Sequence, residues 1–86
     1  YGADLREADL SGATLIRAYL NRANLSNANL MDANLHRADL RGTNFYGANL
    51  HGANLVNATL VRTNFAEATL THCHIYGIAV WSVELK

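Results

Sequence analysis

Residues 28–40 read Ala28-Asn29-Leu30-Met31-Asp32-Ala33-Asn34-Leu35-His36-Arg37-Ala38-Asp39-Leu40, with a large apolar residue at every fifth position and an Ala two places before each. The same phase extends outward without an insertion, from Ala3-Asp4-Leu5 at one end to Cys73-His74-Ile75 at the other. The large position is Leu except at Phe45, Phe65 and Ile75, and the small position is Ala except at Thr43, Thr63 and Cys73. A helix turns every 3.6 residues and a strand alternates every two, so neither keeps a period of five on one side. A chain that turns a corner after each five residues does, with the small and large residues inward and the other three outward.

Substitutions in the inward positions fix how many sides make one coil. The two Phe residues of the large position, Phe45 and Phe65, lie twenty apart, as do Thr43 and Thr63. Bulky groups pack best against layers of matching width, so like residues are expected to stack in one column. Four sides per coil align them, whereas three would separate them. The Ala-(Asp or Asn)-Leu-x-x pattern resembles the pentapeptide-repeat family over essentially the whole chain. The resemblance implies an all-β fold, a right-handed quadrilateral β-helix, here of about four coils. Residues 1–75 are expected to form this solenoid and residues 76–86 an in-phase C-terminal cap, where the small position becomes large and Trp81 follows.

The chain has 86 residues, zero formal net charge, no Pro and one Cys. Pro would remove donors from the ladders between coils, and a single Cys excludes a disulfide framework. No apolar run approaches the roughly 20 residues needed to cross a bilayer, and no signal-peptide pattern is visible, so a cytoplasmic location without membrane attachment is expected. The first coil starts in phase at Tyr1-Gly2 with no capping helix. It reads as an open end, suited to a homodimer contact or a fused domain, and the chain reads as a module of a larger bacterial protein.

Sorting the outward residues by position modulo twenty gives four faces, centred on Leu5, Leu10, Leu15 and Leu20. Faces one and two carry Asp4, Glu7, Asp9, Asp32, Glu67 and Glu84 against Arg6 and Lys86, and faces three and four carry Arg17, Arg22, Arg37, Arg41 and Arg62 against Asp39. The zero total thus conceals a polarised column. Apolar residues follow the basic side, with Ile16, Val56 and Tyr76 on face three and Tyr19, Val61 and Trp81 on face four. Arg beside aromatic groups is the composition of a protein interface core. The candidate interaction face is therefore Arg17, Arg22, Arg37, Arg41, Val56, Val61, Arg62, Tyr76 and Trp81, for a protein partner whose identity the sequence does not give. The bland reading of the same residues is that β-branched and aromatic side chains suit strand positions.

Other chemistries find less support. Five Arg in a neutral chain argue against direct nucleic-acid binding, which calls for a clear basic excess. The family resemblance also suggests a DNA mimic acting on DNA gyrase or another topoisomerase, but mimicry needs a long, strongly negative rod. His72-Cys73-His74 with His51 supplies at most two convergent ligands, short of the three or four that zinc takes. Cys73 fills an inward slot and is expected to be buried and inert. No catalytic, cofactor or metal residue is assigned, and the chain reads as a non-enzymatic interaction or spacer module. The Asn columns at 24/44/64, 29/49 and 34/54 are read as structural, bonding to one another or to the corner backbone.

Overall fold

The computed structural model describes residues 2–76 and the backbone of residues 79–81. Its organising relation is a parallel pairing between each outward residue before Leu and the residue twenty places on: Asp4 with Asn24, Asp9 with Asn29, Thr14 with Asn34, Tyr19 with Asp39, and so on to Asn54 with His74. The interval of twenty holds on all four sides, so the chain winds as a four-sided coil. Most sides are so short that they meet the next coil through one bridging residue. The exception is β1, Thr59–Val61, which pairs in parallel with β2, Ala79–Trp81, in the same register of twenty.

The described corners are built alike, except that at residues 60–63 the turn bond is not made. The carbonyl of the inward Leu accepts the N–H of the residue three places on, as in Ala8 to Leu5 at 3.1 Å and Ala33 to Leu30 at 3.0 Å. The fifth residue of the unit, third in that turn, has a positive φ: 61° at Glu7, 59° at Arg17, 60° at Arg37 and 56° at Arg62, with Gly at positions 2, 12, 42, 47 and 52. A positive φ at this one central position is the signature of a type II turn. The preceding residue is pinned by its neighbour: the N–H of Ser26, His36, Tyr46 and Val56 is donated to the Oδ1 of Asn24, Asn34, Asn44 and Asn54 at 2.9 to 3.1 Å. The Asn columns thus act mainly on the corner backbone. One amide also reaches its neighbour in the stack, Asn64 Nδ2 to Asn44 Oδ1 at 3.4 Å.

Inside the square, Leu25, Leu30, Leu35, Leu40, Phe45 and Leu50 are fully shielded, with the Ala residues between them. Fully burying one such side chain is worth about 1.5–3 kcal/mol. Phe45 and Phe65 stack with centroids 5.1 Å apart and planes 2° from parallel, as the shared column requires. The two buried hydroxyls beside them are satisfied, Thr43 donating to the Leu20 carbonyl at 2.7 Å and Thr63 to that of Leu40 at 2.6 Å. Cys73 fills the same slot and its thiol donates to the Leu50 carbonyl at 2.9 Å. It is half-buried rather than buried, and burial raises its pKa.

Leu40→Lys places a cation where no water reaches, a class of change that costs more than about 4 kcal/mol. The expected result is loss of cooperative urea unfolding by circular dichroism. Gly47→Ala is milder. Its φ of 68° and the Asn27 side chain lying over it both resist a Cβ, but that side chain can swing aside. The left-handed strain of about 1–2 kcal/mol should remain, read as a lower urea midpoint at unchanged slope.

Candidate interaction face

The corner geometry decides what the Arg residues do. Arg6 and Arg41 directly follow Leu, two places after an Asp, and strand alternation puts such a pair on the same side. Arg41 grips Asp39 with both arms, Nε to Oδ1 at 2.8 Å and Nη2 to Oδ2 at 2.6 Å, and Arg6 holds Asp4 in the same way at 2.8 Å. Hydrogen bonds from these guanidinium groups lower the carboxyls of Asp4 and Asp39 to about 2. Arg17, Arg22, Arg37 and Arg62 instead occupy the left-handed fifth position and stand at corners. Arg41 was expected among the contact residues as a cation; the structure pairs it with Asp39, so it brings no net charge to the face.

Face four carries residues 18–22, 38–42 and 58–62, and the corner Arg residues fall on its two edges. Arg17 and Arg37 stack on the edge shared with face three, and Arg22 and Arg62 on the edge shared with face one. Among the described residues no acid occupies either edge. Tyr19 stands between Arg17 and Arg22 in the first coil with 79% of its surface exposed. Arg22 is anchored along its stem, which lies over Gly42.

The expected apolar members divide. Tyr76 is exposed, but Val56 and Val61 are only half-buried, because residues in mid-column are covered by the coils above and below. They are therefore weaker contact candidates than Ile16 and Tyr19, which lie in the first coil. Trp81 is the register partner of Val61, and its side chain lies outside the described residues. Glu84 and Lys86 lie outside them as well.

The opposite side repeats the arrangement with the sign reversed. Face two, residues 8–12, 28–32, 48–52 and 68–72, has Glu7 and Glu67 on one edge and Asp32 on the other, all at positive φ. His51 and His72 meet there edge to face at 5.0 Å, and His51 Nδ1 lies 2.7 Å from Thr71 Oγ1. No group of three metal-ligating side chains converges among the described residues. No described helix is long and apolar enough to cross a membrane.

A family model for pentapeptide repeats matches residues 8–47 and 43–78. The chain belongs to the pentapeptide-repeat family. Among solved pentapeptide-repeat proteins it is similar to HetL from the cyanobacterium Nostoc sp. strain PCC 7120, involved in heterocyst differentiation regulation, with 34% identity and a TM-score of 0.94 over 96% of this chain and 38% of that one. It also matches Rfr23 from the cyanobacterium Cyanothece 51142 at 34% identity and TM-score 0.49, covering 100% of this chain and 56% of that one. A pentapeptide-repeat protein of the Arabidopsis thaliana thylakoid lumen matches at 29% and 0.45, covering 100% and 63%. The repeat chain thus spans less than two thirds of each. No curated protein matches it.

Because the folded carboxyl of Asp39 is depressed to about 2, the stability it lends is complete above the ordinary Asp value near 4 and is lost as pH falls toward 2. Arg41→Met should return the Asp39 carboxyl toward its ordinary value in an NMR titration. An Asp39 titration unmoved by that change would contradict the fork.

Proposed function

We propose that this pentapeptide-repeat chain is a non-enzymatic protein-interaction module that presents face four to its partner. The observation that carries the reading is the pair of Arg edges around the exposed Tyr19, with no acid on either edge among the described residues. Tyr and Arg dominate interface hot spots because each combines a large contact surface with directed hydrogen bonds. Corner residues are also held by the turn itself, so less freedom is lost when they are engaged.

The right-handed winding that the family resemblance implies belongs to this reading, supported by the likeness to HetL. So does the assignment of residues 76–86 as a cap, with β2 continuing the ladder of β1. Gyrase mimicry has less to support it: Asp4 is already neutralised by Arg6, and the acids of faces one and two are few and scattered over several coils.

The test is capture by the immobilised chain from an extract of its source, with bound proteins identified by mass spectrometry. A variant combining Tyr19→Ala, Arg37→Glu and Arg62→Glu should lose at least tenfold in captured partner, about 1.4 kcal/mol, while keeping its urea midpoint. Undiminished capture by that variant would exclude face four. Face-two variants should keep the partner that face four captures.

A further inference from the structure

Faces two and four lie on opposite sides of the square, and their edges carry opposite charge. We propose that face four of one copy docks side by side on face two of a second copy, with the coil axes parallel. This rests on the interaction reading above and names an occupant for the face.

The fit follows from the register. Sliding one copy sideways without rotation brings the edge of Arg17 and Arg37 against the edge of Asp32, and the edge of Arg22 and Arg62 against that of Glu7 and Glu67. Twenty residues climb one coil, about 4.8 Å, so a separation of five residues is a height difference of about 1.2 Å. Arg37 and Asp32 are five apart, as are Arg62 and Glu67. Both pairs therefore meet at nearly the same level, one on each edge. In the middle of the contact Tyr19 faces the column of Ser11 and Met31, and Met31 is itself exposed. Face four against another face four would set Arg against Arg.

The chain's own forks show what its Arg residues take when a carboxylate is in reach, at 2.6 to 2.8 Å. A side of five residues spans at most about 17 Å and four coils rise about 20 Å, so the contact covers roughly 350 Å² per partner, below the standard size for specific association; it is weak and strengthened by low salt. Because the two docked faces differ, the operation does not close, and copies add in open rows.

The experiment is sedimentation velocity over a concentration series at about 0.01 M and about 1 M salt, where the Debye length falls from about 30 Å to about 3 Å. The parent chain should more than double its weight-average mass with concentration at low salt and be monomeric at high salt. Arg37→Glu with Arg62→Glu should be monomeric at both, and so should Asp32→Arg with Glu67→Arg. An equimolar mixture of the two variants should regain association at low salt, because the reversed face of each meets a complementary face of the other. The folds should tolerate these changes: Glu7 and Glu67 already occupy the corner conformation, and Arg22 already lies over a Gly as Asp32 does. A parent chain monomeric at low salt, variants that associate like the parent, or a mixture without regain would each overturn the proposal. If the parent chain stays monomeric while the face-four variant still loses its captured partner, the pairing fails and the interaction reading stands.

Discussion

The square depends on one backbone constraint, that every fifth residue among those described adopts a left-handed conformation. For any residue but Gly this costs about 1–2 kcal/mol, and ten described residues other than Gly accept it. The cost is offset unit by unit. The turn closes one hydrogen bond to the Leu carbonyl, the Asn or Asp before Leu closes another, and the Leu swings into a shared interior. No unit could hold this conformation alone, because its inward Leu is covered only by neighbours. The corner is cheap only in a stack.

The same constraint organises the surface. A side chain at a left-handed corner leaves the column at its edge, clear of the flat side, whereas one directly after Leu lies along that side within reach of the residue before Leu. Asp39 and Arg41 neutralise each other for this reason, while Arg37 and Arg62 stand on edges that carry no acid among the described residues. Position within the five, more than the identity of the charge, determines whether an Arg serves the fold or faces outward.

Much of this was legible in the sequence. The inward Leu and Ala, the coil of twenty and the stacked Phe45 and Phe65 followed from periodicity alone, because apolar burial leaves a regular trace. The site was harder to read. Gly2, Gly12, Gly42, Gly47 and Gly52 all fall at the fifth position and mark the left-handed corner through their spacing. The neutralisation of Arg41 was likewise encoded in Asp39-Leu40-Arg41, through the alternation of strand side chains. The partial covering of Val56 and Val61 had no such trace, since it depends on how coils above and below close over a column. The polarity of faces one and two against faces three and four was visible as composition; the matching heights of the charges on faces two and four emerged only from the parallel register.

The two buried hydroxyls acquire a further meaning from the sameness of the repeats. A chain of near-identical fives can be wound out of step by one unit, since most Leu would still meet Leu. Thr43 and Thr63 share one column, each bonded to the carbonyl 23 places before it, and Phe45 requires an equally wide ring above it. A slip of five residues would set each Phe over a Leu and break the column of Thr slots in the same layer. These four residues serve as an alignment mark inside an otherwise interchangeable ladder, discriminating the correct winding from its closest misfolded competitors.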